Sequence, residues 1–446
     1  MKTAREAALE AICRVHETRS YANLILSRLL AESDLSKRDR ALVTELVYGT
    51  LRNEGTLDWI LSRFYPQKPS KIPEKALDIL RLGCYQILYL DKIPNHAVCN
   101  EAVELAKKYF HPAMGGFVNA ILRRIIREKE RLPWPDYQDD PIGYISFKHS
   151  HPRWIVEMWV EDFGLEETAL LCQANNVRPR MVIRVNTFKI SPSNLARRFE
   201  SEGLKISPSW LPEALIVEDM GNVTELTEFK EGLFLLQDES SILVGHIVDP
   251  KPGEVILDTC AAPGGKTTHL AQLMGNEGRI IAVDIHQSRL RLVKDNCSRL
   301  GIKNVQIIQG DSTRLGEVVE KPVDKVLVDA PCSGLGVLAR RPDARWRKTP
   351  QQIDELSILQ SRLLDSASKF VKRKGVLVYS VCTISKKESE QVMKGFLKKH
   401  PEFSLEDISS FLPPPLRAEM PLKFIQLLPH RHGTDGLFVC RFKKEG

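Results

Sequence analysis

No uninterrupted apolar run in this 446-residue chain approaches the ~18–20 residues needed to cross a bilayer, so no membrane partner is expected. The opening MKTAREAALEAICRVHETRS scatters charges through what would have to be an apolar core, which argues against a secretory leader. Nine cysteines are present, an odd number spread over the whole chain, and none forms a CxxC pair. That spacing excludes the usual zinc and redox-disulfide patterns and predicts reduced thiols in the cytoplasm, most of them small buried hydrophobes. Two nucleotide loops are missing as well. GxGxxG does not occur, which counts against NAD, and the GGKT at Gly264–Thr267 is not a Walker A loop, because the glycine required five residues before Gly265 is Cys260. His430 and His432 have no cysteine or carboxylate to complete a metal site, so no metal is expected.

A composition of 43% hydrophobic and 27% charged residues is that of a soluble folded protein. A net charge of +7 permits a nucleic-acid partner without establishing one. At ~100–200 residues per domain the length suggests three domains, and the sequence changes character twice. Residues 1–135 read as successive helices: Ala22, Ile25, Leu26 and Leu29 share a face, as do Val43, Leu46, Val47 and Thr50, Leu77, Leu80, Cys84 and Ile87, and Phe117, Ile121, Leu122 and Ile125. Asp34 and Asn95 fall where caps and turns belong. The last helix carries Arg123, Arg124 and Arg127, followed by Lys129 and Arg131, either a solvated face or a stripe that contacts phosphates. RLPWPDYQDDP reads as a linker. Residues 140–235 form a small α+β unit with strands at MVIRVNT, ALIVED and GLFLLQD and a helix entered at Ser191-Pro192 and left at Gly203.

Residues 236–446 alternate strand and helix. EVILD, RIIAVD, VQIIQG, DKVLVD and GVLVYS are short apolar runs of the kind buried on both faces of a parallel sheet. A doubly wound α/β domain binds its ligands beyond the carboxyl ends of such strands. After the first comes TCAAPGGKTTHL, whose small Ala261, Ala262, Gly264 and Gly265 admit a ligand close to the backbone. Without pyrophosphate to cradle, S-adenosylmethionine fits that loop. Asp284 ends the second strand, where a carboxylate bridges ribose hydroxyls, and Asp311 follows the third, placed for an adenine amino group. Each aspartate taken alone could be a helix N-cap; together at successive strand ends they point to a ligand. The fourth and fifth strands end in DAPCSGLG and YSVCTI, so Cys332 and Cys382 face one cleft. Cytosine carbon 5 is too weak a nucleophile to attack a methyl sulfonium, and a thiolate adding at carbon 6 overcomes this by turning carbon 5 into an enamine carbon. Asp329, three residues before Cys332, is placed to stabilise the charge that develops.

These words resemble the RNA cytosine-5 methyltransferases, closely those of the Sun/RsmB type that act on 16S ribosomal RNA, and the resemblance runs over nearly the whole chain. TAREAALEAICRV through GFVNAILRRII is similar to that type's NusB-like RNA-binding bundle, and RVNTFK with GLFLLQDESS is similar to its RRM-like insert. The last part is similar to a Rossmann-like class I methyltransferase domain. The resemblance implies that Cys260, Ala261, Ala262, Pro263, Gly264, Gly265 and Lys266 line the S-adenosylmethionine site with Asp284, Asp311 and Asp329. It implies Cys382 as nucleophile and Cys332 as the residue that assists product release. RRPDARWR, with Arg341, Arg345, Trp346 and Arg347, resembles a loop near the RNA, and read without that likeness is a basic loop with one stacking aromatic. Val381 and Thr383 stand where Thr and Ser are commoner and leave the cysteine intact. The expected partner is 16S rRNA, free or in a partly assembled small subunit, and the expected state is a cytoplasmic monomer. Two rivals are a non-catalytic RNA-binding factor, against which the intact loop and cysteine pair speak, and an adenine amino-methyltransferase, which would show an NPPY-like word in place of DAPC.

Overall fold

The computed structural model describes residues 2–65, 72–132, 134–218, 220–417 and 421–446. Pro133 in the predicted linker and Asp219 at the end of the ALIVED strand lie outside the described residues. The chain divides into two compact units, residues 1–177 with 338–347, and 178–337 with 348–446.

The first unit is helical: α1 (Ala4–Thr18), α2 (Ala22–Ala31), α3 (Lys37–Arg52), α4 (Glu54–Ser62), α5 (Glu74–Tyr89), α6 (Asn95–Tyr109), α7 (Pro112–Glu128), α8 (Pro141–Lys148), α9 (Arg153–Phe163) and α10 (Leu165–Ala174). The predicted faces are the buried ones. Val43, Leu46, Val47 and Thr50 on α3 are shut from solvent, as are Leu80, Cys84 and Ile87 on α5 and Ile121, Leu122 and Ile125 on α7. Each fully buried aliphatic side chain contributes about 1.5–3 kcal/mol, so this core is a main source of the bundle's stability. The caps differ from expectation by a residue or two. Ser36, not Asp34, caps α3 by accepting from the Asp39 amide, and Asn95 is the first residue of α6 behind Pro94. Arg123, Arg124 and Arg127 are exposed. Arg124 pairs with Glu128 one turn on, and Arg123 bonds Asn119.

The segment Leu338–Arg347, which takes in the basic RRPDARWR loop, belongs to this helical unit. Arg345 is fully buried. Its Nη1 donates to the Ser150 carbonyl at 2.8 Å and to the Asn176 side chain at 2.9 Å, and its Nη2 donates to the Asn175 carbonyl at 3.3 Å. Arg347 donates to the carbonyls of Arg19 and Ser20 and pairs with Asp343 at 2.8 Å. The Trp346 ring lies against Gly55, where an added Cβ would meet it at 2.4 Å. Arg341 is exposed and lies over the Tyr21 ring at 5.3 Å. The sequence shows like arginines in one short loop; packing sends them in different directions.

The second unit opens with a four-stranded antiparallel sheet: β1 (Met181–Val185), β2 (Lys205–Pro208), β3 (Ala214–Glu218) and β4 (Phe234–Leu236), in the order β2-β3-β1-β4. Helix α11 (Pro192–Ser201) is capped by Ser191, and Gly203 turns the chain out of it at φ +85°. A short α12 (Thr227–Lys230) precedes β4. Helix α13 (Glu239–Val248) leads into the larger sheet. That sheet alternates β5 (Val255–Asp258), α14 (Gly265–Leu273), β6 (Arg279–Asp284), α15 (Gln287–Leu300), β7 (Val305–Gln309), β8 (Val323–Asp329), α16 (Pro350–Ser368), β9 (Val371–Val381) and α17 (Glu390–Lys399). It ends with β10 (Phe403–Leu405), β11 (Phe424–Leu427), α18 (Pro429–His432) and β12 (Leu437–Lys444). The strand order is β10-β12-β9-β8-β5-β6-β7, with β11 also paired to β12. β5 to β9 run parallel, whereas β12 runs antiparallel to β9. The three last strands are not among those expected from sequence.

Two buried polar knots join the small sheet to the helices of the larger one. Arg184 on β1 donates to the Gly265 carbonyl at 2.7 Å and to Thr268 at 2.8 Å, bracing the start of α14. Glu213 accepts from His246 on α13 and His269 on α14 at 2.7 and 2.9 Å. Burial holds the His269 imidazole down at about 4, so it is neutral at pH 7.

Arg345→Ala strands the carbonyls of Ser150 and Asn175, for which this guanidinium is the only donor among the described residues, each worth about 1–3 kcal/mol. The helical unit should lose about 2–4 kcal/mol, seen as earlier unfolding of that unit in urea with near-native amide exchange in the second. An unchanged unfolding midpoint rules out the strut.

Candidate active site

In a doubly wound sheet the crevice forms where neighbouring strands send their connections to opposite faces, here between β5 and β8. All the expected site residues follow the carboxyl ends of β5 to β9. Cys260–Lys266 link β5 to α14, Asp284 ends β6, Asp311 follows β7, Asp329 ends β8, and Cys382 follows β9.

The glycine loop is tied to the second strand. Gly264 sits at φ +100°, a conformation that strains any residue with a Cβ, and caps α14. Asp284 is almost buried; its two oxygens accept the amides of Ala262 at 3.2 Å and His286 at 3.0 Å. A carboxylate offers about four lone-pair directions, so two remain for other donors. Arg289 donates to the Ala262 carbonyl at 2.7 Å and Asn296 to that of Pro263 at 3.0 Å. Asp311 caps the turn Ser312–Glu317 with one oxygen, which takes both the Thr313 amide and hydroxyl. Those bonds lower its carboxyl. Its other oxygen has no partner among the described residues, so capping leaves acceptor capacity at this strand end. Asp258, at the end of β5, was not singled out in the sequence. It is buried against the Thr267 hydroxyl at 2.7 Å, and burial raises it to about 7.

One ion pair crosses from the glycine loop to the fourth strand. Lys266 Nζ donates to Asp329 Oδ2 at 2.7 Å, and Ser380 on β9 donates to the other oxygen at 2.7 Å. Burial would pull the Lys266 ammonium down, but the Asp329 charge outweighs it, and the charge of Cys382 adds to the rise. The two cysteines meet as the sequence implies: β8 pairs with β9, Asp329 lies opposite Ser380, and Cys332 Sγ is 3.3 Å from Cys382 Sγ. The hydrogen bond to Cys382 pushes the Cys332 thiol well up, with burial and the Glu388 charge acting the same way. The Lys266 ammonium thus acts on the Cys382 side of the pair and the Glu388 carboxylate on the Cys332 side.

None of the nine cysteines is disulfide-bonded; six are buried, and the three that are half-exposed, Cys260, Cys332 and Cys382, all belong to this crevice. Burial raises the Cys260 thiol, which fits a lining residue and not a nucleophile. Sequence reading missed Glu388, Ser333, Gln360 and Ser380. A glutamate inside SKKESE looks like a solvated charge run, and no local pattern marks it otherwise.

A mixed sheet of this order, with a glycine loop after its first strand and polar side chains at each following strand end, is that of a class I methyltransferase domain. Residues 245–443 match the 16S rRNA methyltransferase RsmB/F family, residues 2–127 the NusB family, and residues 151–224 the ferredoxin-like domain of RsmF/B-like methyltransferases. The probable ribosomal RNA small subunit methyltransferase B of Bacillus subtilis is 37% identical over 99% of both chains. The ribosomal RNA small subunit methyltransferase B of Escherichia fergusonii is 33% identical over 99% of this chain and 98% of that one. Among solved structures, PH0851 superposes with a TM-score of 0.84 at 30% identity, covering 99% of this chain and 98% of that one. NSun6 from Pyrococcus horikoshii, solved with SFG, gives 0.59 at 29% identity, covering 66% and 98%. The chain belongs to the RsmB/F family of 16S rRNA methyltransferases.

If the Lys266 ammonium favours charge on the nearby sulfur, Lys266→Met should slow iodoacetamide labelling of Cys382 roughly tenfold at pH 7 and move its pH midpoint upward, because an opposite charge within ~4–6 Å favours the ionised form. Loss of the ammonium also leaves the Asp329 charge unopposed, which acts in the same direction. A labelling rate equal to that of the unaltered protein excludes this influence.

Proposed function

We propose that this protein transfers a methyl group from S-adenosylmethionine to carbon 5 of a cytosine in 16S rRNA through a transient bond between Cys382 and the base. The observation that carries the reading is the pair of sulfurs 3.3 Å apart beside the Lys266–Asp329 ion pair. Neither structural cysteines nor a binding module require that juxtaposition.

The crevice suits the cofactor chemically. Asp284 keeps acceptor capacity for ribose hydroxyls, the unpartnered oxygen of Asp311 suits an exocyclic amino group, and Cys260 to Lys266 supply a loop without bulky side chains on which a methionine part can lie. The cofactor supplies an electrophilic methyl group on sulfonium sulfur and departs as the thioether. The protein's share is the activation of the base. Cys382 sulfur bonds carbon 6, and the electron pair of the 5,6 double bond becomes available at carbon 5. Asp329, anchored by Lys266 and Ser380, stabilises charge at the polar edge of the ring. Once carbon 5 is methylated, its proton is lost to a base, the double bond re-forms and the Cys382 sulfur leaves. Cys332, with its proton retained and its sulfur in contact with Cys382, assists that departure.

RNA recognition falls to the helical part, where Arg123, Arg127, Lys129 and Arg131 offer exposed cations to phosphates. The working division is residues 1–135 for RNA binding, 140–235 for the RRM-like insert and 236–446 for catalysis, in a monomer acting in the cytoplasm on free or partly assembled 16S rRNA. Among the described residues no helix is long and apolar enough to cross a membrane.

Asp284→Ala should weaken S-adenosylmethionine binding by about 1.5–3 kcal/mol, the range for charged hydrogen bonds, with RNA affinity nearly unchanged. Full affinity in calorimetry excludes Asp284 as the ribose contact. The two cysteines should fail in opposite ways. Cys382→Ala should abolish both turnover and any covalent RNA–protein species. Cys332→Ala should still attack and methylate but release slowly, accumulating a denaturant-resistant RNA adduct seen as a gel shift. An adduct in the Cys382 variant and none in the Cys332 variant reverses the roles, and equal turnover in all three proteins removes the covalent mechanism.

A further inference from the structure

Glu388 is fully buried, six residues beyond Cys382 and outside any strand or helix. A buried carboxylate is costly unless every lone pair is used, and here the bonds run to the residue that follows each cysteine. The Ser333 amide donates to Oε1 at 2.7 Å, and the Ser333 hydroxyl donates to Oε2. The Thr383 hydroxyl donates to Oε2 at 3.1 Å and lies 2.8 Å from that of Ser333. From α16, Gln360 donates to Oε1 at 3.1 Å and to the Pro331 carbonyl at 3.0 Å. The Tyr379 hydroxyl on β9 donates to the Glu388 carbonyl. One carboxylate therefore bolts the DAPCS loop to the VCT loop, and both sulfurs sit one residue from the bolt. Thr383, a departure from the commoner Ser, retains the hydroxyl that this arrangement uses.

We propose that Glu388 is a positioning residue: it clamps the loops carrying Cys332 and Cys382 at sulfur–sulfur contact and sets a negative charge on the Cys332 side of the pair. It touches no reacting atom. Its negative charge lies beside Cys332, while the Lys266 ammonium lies beside Cys382, and the two charges polarise the pair in the same sense. The inference deepens the covalent reading above and rests on it for its catalytic consequence, but the polarisation of the thiols can be read without any RNA.

The test is Glu388→Gln, which keeps the shape, removes the charge and replaces one of the two acceptor oxygens with a donor NH2 group. Iodoacetamide labelling of the full-length protein, mapped by mass spectrometry, should fall on Cys382 in the unaltered protein. In the variant it should spread to Cys332, whose share rises several-fold as the opposing charge disappears. Methylation of a 16S rRNA transcript should lose ~10- to 100-fold in kcat, the scale of a small misplacement of reacting groups. KM for RNA and cofactor affinity should stay within about twofold, because both depend on groups away from the clamp. The pH profile of kcat should also shift, an effect that loosened packing alone does not produce. Should Glu388→Gln not fold, Ser333→Ala removes the hydroxyl that bridges Glu388 and Thr383 and should show the same labelling change in smaller degree. A labelling split and kcat equal to those of the unaltered protein, in a folded Glu388→Gln or in Ser333→Ala, overturn the proposal. If Cys382→Ala retains turnover while the labelling split responds as expected, the covalent reading falls and the clamp stands.

Discussion

Parallel strands in a sheet all end on the same edge, and everything chemical in this protein depends on that. Five strands, β5 to β9, deliver a glycine loop, three aspartates and two cysteines to one side of the sheet, each from a connection that follows a strand end. Register completes the work. Asp329 at the end of β8 lies opposite Ser380 near the end of β9, so the residues a few positions on, Cys332 and Cys382, reach one another. A slip of one residue in that pairing would turn every side chain of the strand to the other face. The antiparallel β12 on the far side of β9 buries the strand in the sheet interior, where its register is held by Val376, Val378, Tyr379 and Val381, all shut from solvent.

Within the crevice the charges are arranged as opposed pairs, which a partly dry site requires. Lys266 answers Asp329, and the Asp284 carboxylate is held by backbone amides and by Arg289 at 3.8 Å. The sulfur pair is the point at which this arrangement is deliberately unequal. With a cation near one member and an anion near the other, two chemically identical thiols stand in different electrostatic surroundings. Function follows from asymmetry that no single residue carries.

The supporting structure relies on buried polar groups as much as on apolar packing. In the helical unit Arg345 spans several chain segments through the backbone carbonyls of Ser150 and Asn175, and Gly55 leaves room for the Trp346 ring. In the second unit Arg184 braces the start of α14, the helix that carries the glycine loop, and Glu213 joins α13 to α14 through two histidines. Such groups define one arrangement because every alternative leaves a donor or acceptor unpaired away from water.

Much of this was legible in the amino-acid order. Helical periodicity marked the faces of α3, α5 and α7, apolar runs marked β5 to β9, and the rule that ligands lie beyond strand ends led to Cys260–Lys266, Asp284, Asp311, Asp329, Cys332 and Cys382. Those signals are local: each needs only a residue and its neighbours along the chain. What the order of residues could not show is which side chains meet across distant segments. Glu388 lies in a stretch that reads as solvated charge, Arg345 in one that reads as an exposed basic loop, and each is bonded by partners far along the chain, Gln360 28 residues from Glu388 and Ser150 195 residues from Arg345. The sequence alone determined the elements and the chemistry available at their ends. Tertiary packing decided which charges are dry, which sulfurs meet and which arginines are struts, because burial and long-range pairing depend on three-dimensional neighbours that local pattern does not encode.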